Sequence, residues 1–237
     1  MLNSRKLSER RRMPELMDQA DLDVAEHERA LRGLARINRF SRSDAILWPA
    51  IERLAHARGG APIRVLDVAT GGGDVPIALA KRALRAGLAV EIEGCDVSPD
   101  AVCYARQRAE QRGLNLRFFD LDVLGAPIPS GYDVITSSLF LHHLDENDAC
   151  AFLRRAAETT SGLLLVNDLV RGPAGYLLAW LGCRFLSRSP VVWYDGPVSV
   201  AGAFSLAEAR NLAVSAGLDG VSLTPRWPCR FLLSWSR

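Results

Sequence analysis

Four carboxylates, Asp67, Asp74, Asp96 and Asp122, fall at or just beyond the ends of apolar runs in the first half of the chain. The most telling segment is Val65-Leu66-Asp67-Val68-Ala69-Thr70-Gly71-Gly72-Gly73-Asp74, a β-branched run ending in a glycine turn and leading into the helical pattern Val75 to Arg85. Strand, glycine turn and helix in that order open a βαβ unit, where the backbone approaches a cofactor closely and the helix N-terminus faces it. A second apolar run, Val90 to Gly94, delivers Asp96 at 23 residues beyond Gly73. A carboxylate there accepts hydrogen bonds from ribose hydroxyls. The turn is not a dinucleotide fingerprint: it reads Ala69-x-Gly71-x-Gly73 with no further glycine three residues on, and Asp74 stands where a pyrophosphate would approach. An acid repels a diphosphate and attracts a cationic, amino-acid-like group. Asp67 adds a second acid at the same mouth, either meeting the cationic group through backbone or water or serving structurally. These residues suit a cofactor with an adenosine end and a positively charged, phosphate-free end. S-adenosylmethionine (SAM) has both.

The chain pattern supplies the elements that position these groups. Strands are expected at Ile63–Ala69, Val90–Cys95, Leu116–Phe119, Val134–Ser138 and Leu163–Asp168, with Gly220–Arg226 and Phe231–Trp235 as a closing hairpin around Pro228. Helices lie between them. Ser98-Pro99 opens one that Gly113 closes, Asp145 precedes another, and Ser205-x-x-Glu208 is a capping box for a helix ended by Gly217. This alternation predicts a parallel sheet with one antiparallel strand from the hairpin. Two helices precede the sheet. Leu22 to Phe40 carries Leu31, Leu34, Ala35 and Ile37 on a stripe, and a second helix after Ser43 carries Leu47, Ile51, Leu54 and Ala55. Arg58-Gly59-Gly60-Ala61-Pro62 stops the second. Residues 1–60 are therefore expected to form a helical cap, in one structural unit with a sheet domain over 61–237. Ligands in such sheets sit at the carboxyl ends of the strands, which nominates Thr70, Asp96, Asp122, Ser138, His142, His143, Asn167 and Asp168. Phe118 and Phe119 read as packing residues and Asp120 as solvent-facing.

On these motifs the chain, from about Ile63 onward, resembles the class I SAM-dependent methyltransferases. The family's acid-x-Gly-x-Gly-x-Gly is matched by Asp67-x-Ala69-x-Gly71-x-Gly73, with Ala69 departing from it; the departure matters if that position needs positive φ. The resemblance implies an α/β, Rossmann-like, seven-stranded and mostly parallel sheet with an antiparallel C-terminal hairpin strand and a helical N-terminal cap. It implies cofactor contacts from Asp67, Ala69, Thr70, Gly71, Gly73 and Asp74 in the first turn. Asp96, with Val97 beside it, takes the ribose; Asp122, with Val123, takes the adenine; Ser138 ends the fourth strand, ahead of Leu139-Phe140-Leu141-His142-His143-Leu144. Within the family, Pro14-Glu15-Leu16-Met17-Asp18, Ala30-Leu31 to Ile37-Asn38, and Arg226-Trp227-Pro228 with Phe231-Leu232-Leu233 resemble a ubiquinone-methyltransferase-like group. That group is associated with bacterial type III polyketide (alkylresorcinol and quinone) pathways. It implies transfer to an oxygen or an activated ring carbon of a small phenolic, polyketide or quinol-type acceptor. An amine or carboxylate acceptor, or SAM binding without turnover, remains the alternative.

Methyl transfer from a sulfonium needs alignment above all. A phenol of pKa about 10 also benefits from a base, and His titrates in the useful range. His142 and His143 are the candidates, His143 preferred, as base or substrate orienter; the alternative is that one caps a helix or bonds the backbone. A two-His metal site needs carboxylates that the sequence does not place nearby, so no metal is expected. Asn38 and Arg42 continue the stripe of Leu31 and Ala35, and either point into the pocket or mark the helix end. The apolar run Ala174 to Leu186, after Arg171-Gly172-Pro173, is too short to span a bilayer. It reads as a core helix, as a lid that with the N-terminal helices encloses an aromatic or lipid-like acceptor, or as a shallow membrane contact helped by Arg10-Arg11-Arg12. That basic cluster reads equally as a solvated terminus. Tyr194-Asp195-Gly196-Pro197 reads as a turn.

Composition narrows the classes. A net charge of +2 and a fourth strand ending Thr136-Ser137-Ser138, rather than in an Asn/Asp-Pro-Pro-aromatic clamp, argue against nucleic acid. The five cysteines are scattered without Cys-x-x-Cys pairs, which argues against a zinc or disulfide framework and fits a reducing, cytoplasmic setting. Met1 to Pro14 is polar and Arg-rich, without the apolar core of a signal peptide. Nothing in the sequence sets an oligomeric state.

Overall fold

The computed structural model describes residues 7–18 and 22–237. Its centre is β1 (Ile63–Val68), which pairs in parallel with β2 (Val90–Asp96) on one side and β4 (Val134–Ser138) on the other. β3 (Arg117–Asp120) extends the β2 side and β5 (Leu163–Leu169) the β4 side, both in parallel. The C-terminal hairpin, β6 (Ser222–Arg226) and β7 (Arg230–Ser236), completes the sheet, and β7 inserts antiparallel between β5 and β6. The seven-stranded order is β3-β2-β1-β4-β5-β7-β6. Strand order reverses between β1 and β4, and ligands bind in the crevice beyond the carboxyl ends at such a switch point.

The central strands read as near-continuous apolar runs because helices cover both faces. On one face α2 (Ser43–Ala57) and α3 (Asp74–Ala86) bury Leu47, Ile51 and Leu79 against Val65, Val134 and Leu165. On the other, α5 (Glu146–Thr159) and α8 (Leu206–Ser215) bury Phe152, Leu153 and Leu212 with Leu66, Leu164 and Phe231. α4 (Pro99–Glu110) packs Val102 and Ala105 on Phe118. The expected end signals work as local chemistry demands: Ser98 and Asp145 accept from the amides of Ala101 and Asp148, and Ser205 with Glu208 forms the full capping box.

The first 60 residues divide in two. α2 sits under the sheet, whereas α1 (Val24–Ser41) lies above the strand ends beside α6 (Pro173–Leu186) and α7 (Pro190–Gly202). Arg42, at φ 53°, is the left-handed residue that ends α1, so the stripe stops there. The turn expected at Tyr194-Asp195-Gly196-Pro197 is instead the middle of α7. Proline in a helix interior costs about 3 kcal/mol, but packing overrides it here. Val191, Val192 and Val200 are buried, and Asp195 accepts from the amides of Leu16 and Met17. Gly196 is a packing residue, because a Cβ there would collide with Cys183 Sγ on α6. α6 is not a core helix either: it buries Gly175 and Cys183 and leaves Leu177, Trp180, Leu181 and Phe185 on its outer side exposed.

Within the basic cluster Arg11 and Arg12 are exposed, but Arg10 is not a solvated group. Arg10 turns inward, donating to the carbonyls of Gly202 at 2.6 Å, Leu144 at 2.5 Å and His142 at 3.1 Å, with its guanidinium 3.6 Å over the Phe204 ring. Arg171 makes a bidentate pair with Glu208, both contacts 2.7 Å, and donates to the Leu7 and Ala203 carbonyls. These two arginines strap residues 7–18 across the top of the molecule. No helix among the described residues is long and apolar enough to cross a membrane.

Candidate functional site

A cavity of about 970 Å³ lies between the strand ends and the layer made by the strap, α1, α6 and α7. That is at the upper end for small-molecule sites, room for a cofactor and an acceptor together. Ala69, Thr70, Gly71 and Asp74 line it from the first turn, Asp96 and Val97 from the second, Asp122 and Val123 from the third, and Ser138 from the end of β4. Asn38 also reaches the wall, where its side-chain amide donates to Asp74 at 3.5 Å.

The first turn is shaped for close backbone approach. Ala69, Gly71 and Gly73 all have positive φ (53°, 53° and 71°), so the departure at Ala69 does carry strain. Asp96 locks the turn: Oδ2 accepts from the Gly71 amide at 2.7 Å and Oδ1 from the Ser98 amide at 3.0 Å. A carboxylate offers about four acceptor sites, so it can bond the turn and a ligand hydroxyl together. Asp122 accepts from the Leu124 amide at 3.0 Å on the same wall. The acid-lined glycine turn therefore fits the nucleoside end of SAM.

Two expected residues lie off the cavity wall, and a third lines it already paired. Asp67 is sealed beneath the turn, accepting from Thr70 Oγ1 at 2.8 Å and Thr136 Oγ1 at 2.6 Å, and it does not line the cavity. Burial pushes its carboxyl up to about 7. Gly73 also lies off the wall, where an added Cβ would sit 2.9 Å from Ala105 Cβ. Asp74 does line the cavity, but Arg108 pairs with it at 2.5 Å while also donating to the Gly72 carbonyl. Burial raises the Asp74 carboxyl against the pull of that guanidinium.

The other end of the cavity holds the histidines. His142 is buried, and its Nδ1 lies 2.6 Å from Asp168 Oδ1; its backbone amide donates to Asp168 Oδ2 at 3.2 Å. Burial pushes the Asp168 carboxyl up, but the charge and hydrogen bond of His142, the Leu169 amide and His143 outweigh it, and the net shift is downward. An ionised Asp168 holds a proton on His142 Nδ1, so that whenever the ring is neutral its lone pair lies on Nε2. Asp168 thus orients His142, whereas the sequence favoured His143. The rings lie side by side, centroids 4.3 Å apart and tilted by 34°. Asn167 and Asp168 are themselves fully buried behind the wall.

Glu15 was not anticipated. The strap places its Oε1 3.7 Å from His142 Nε2 and 3.9 Å from His143 Nε2, with Ser199 Oγ 2.5 Å from the same oxygen. The expectation that no carboxylate stands near the His pair is therefore overturned by two, Glu15 and Asp168. No spacing signal links Glu15 to His142; only the likeness of the Pro14–Asp18 stretch drew notice to it. Arg230, buried at the wall and donating to Ser43 Oγ at 2.5 Å, was also missed; burial lowers its pKa to about 10.

This fold and cradle are those of a SAM-binding domain, and part of the chain is similar to known methyltransferases. Residues 65–161 match the family described as "Methyltransferase domain". The chain is 38% identical over 117 residues to the demethylmenaquinone methyltransferase of Thermus thermophilus, covering 48% of this chain and 51% of that protein. It is 30% identical over 129 residues to a ubiquinone biosynthesis O-methyltransferase of Xanthomonas euvesicatoria, covering 53% and 51%. The chain thus matches about half the length of these curated relatives. Among solved structures, the SAM-dependent methyltransferase SibL superposes with a TM-score of 0.67 at 19% identity, over 95% of this chain and 62% of that one. That likeness concerns the fold.

Proposed function

We propose that this chain transfers a methyl group from SAM to an oxygen, or to an activated ring carbon, of a small phenolic or quinol-type acceptor. The observation that carries the reading is that the His142–Asp168 pair and the Asp96–Asp122 cradle open into one cavity. SAM supplies an electrophilic methyl carbon on a sulfonium. Asp96, Asp122 and the Ala69–Gly72 backbone hold its nucleoside end. His142 Nε2 accepts the proton of the acceptor hydroxyl, and Asp168 balances the imidazolium that results, an effect typically of about 10²–10⁴-fold. Leu31, Leu34 and Ile37 of α1 and Leu178 and Leu186 of α6 give the roof an apolar lining suited to an aromatic or alkylated ring. The names of the two quinone-pathway relatives support that acceptor class, and the likeness to the polyketide-associated group extends it to alkylresorcinols.

In this reading the strap and α1 act as the cap over the acceptor. The exposed Leu177, Trp180, Leu181 and Phe185 of α6 rest shallowly on a lipid surface that delivers a long-chain quinol, with the enzyme in the reducing cytosol. Labelled methyl transfer to hydroquinone and resorcinol acceptors tests the proposal. Asp168→Asn should lower turnover by about 10²-fold or more with SAM affinity unchanged. Saturable SAM binding without transfer to any such acceptor would refute it.

A further inference from the structure

Glu15 reaches the His pair from the far end of the sequence, and the donor set is not that of a simple proton acceptor. We propose that Glu15, His142 and His143 form a binding site for a divalent first-row cation such as zinc, which holds the ionised oxygen of the acceptor. The proposal rests on the preceding reading of this cavity as the acceptor site.

Glu15 Oε1, His142 Nε2 and His143 Nε2 all lie within 4.8 Å of one another. Two donors each about 2.1 Å from a tetrahedral zinc are roughly 3.4 Å apart. The two Glu15 separations, 3.7 and 3.9 Å, need to close by only about half an ångström or less to reach that spacing. Two imidazoles and a carboxylate are a ligand set that binds such cations while leaving coordination positions open. Here the three residues line the cavity wall, so the open positions face the acceptor.

The surroundings are those of a ligand cluster. Asp168 holds His142 Nδ1 at 2.6 Å, the outer carboxylate that orients a metal-binding imidazole and raises its basicity. Ser199 Oγ stands against the Glu15 oxygen, and Asp195 pins the next two backbone amides, Leu16 and Met17. Arg10 fixes the His142 carbonyl. Glu15 and His142 are therefore held from behind by second groups before any ion arrives. With a cation bound, His142 is a ligand rather than the proton acceptor. A coordinated acceptor hydroxyl is acidified by the dication and gives its proton to solvent, leaving the phenolate oxygen as nucleophile.

The test uses the full chain, treated with chelator, dialysed and titrated with cobalt(II) chloride, a spectroscopically visible substitute for zinc. Visible d–d bands saturating at one equivalent are expected. Glu15→Gln and His143→Ala should each weaken cobalt affinity about tenfold or more, and Asp168→Asn by about 10–100-fold, while SAM affinity and the circular dichroism spectrum stay unchanged. Absence of saturable cobalt bands in the wild type, or wild-type affinity in both ligand variants, would overturn the site. Protein that binds cobalt through these residues yet methylates no phenol or quinol leaves the site standing and overturns the acceptor reading. Full turnover in chelator without cobalt binding does the reverse.

Discussion

Replacing Asp67 with Asn removes the charge of a carboxyl sealed under the first turn while keeping its shape. Burial is the dominant cause of its raised pKa; the Thr136 and Thr70 hydroxyls pull the other way, and the charge of Asp96 adds to the rise. From the ordinary 3.8 to about 7 is a span of about three units, and at 1.36 kcal/mol per unit it amounts to about 4 kcal/mol. The folded state binds a proton at Asp67 that the unfolded chain releases throughout that window. Stability from this group is therefore present at the acid end and lost as pH rises towards and through 7. Relative to the Asn variant, the wild type should lose about 4 kcal/mol between about pH 4 and pH 8, read by urea unfolding without added cofactor. An offset of about 1 kcal/mol from altered hydrogen bonding to the two threonines would shift every point equally and leave the slope intact. A stability difference that stays flat across this range would refute the argument that burial of this carboxyl dominates.

Ala69→Gly should stabilise the chain by about 1 kcal/mol in thermal or urea unfolding, because it relieves a left-handed residue that carries a Cβ; a loss of stability would show that the strain is illusory. Gly196→Ala should cost about 1–3 kcal/mol through overpacking against Cys183. Adding Cys183→Ala should restore most of that loss, and failure of the rescue would place the cost elsewhere in α7. Arg171→Met should release the strap, read as faster proteolysis within residues 7–18. It should also abolish the pull that holds Glu208 down at about 2. That pull favours the folded state above the ordinary Glu value of 4.5 and is lost as pH falls through about 2, so the two proteins should converge in acid.

What the sequence could reveal follows the range of the interactions involved. The carboxylates Asp96 and Asp122 were legible because a strand, a turn and a helix are contiguous and their period is local. Helix ends at Ser98, Asp145 and Ser205 were legible for the same reason: a cap is a bond between residues three apart. Gly196-Pro197 misled because local chemistry there favours a turn, while the collision a Cβ would make with Cys183 on another helix is invisible to any window. Asp67 and Asp74 read alike as mouth acids, yet one is capped by Thr70 of its own turn and Thr136 of β4, and the other by Arg108 of α4. Glu15 lay beyond reach altogether, since only tertiary docking brings it to His142.

The strap also sets a clock. Arg10 needs carbonyls at His142, Leu144 and Gly202, and the amides beside Glu15 need Asp195. At about 5–20 residues per second of synthesis, its last partner follows it by about 10–40 s. Late in that interval β1, β2 and β4 with their turns are already out, while Asp195 and Gly202, which complete the docking of residues 7–18, are not. On the ribosome, the nucleoside grip is therefore assembled first, and the acceptor end is finished only when residues 7–18 fold back over α7.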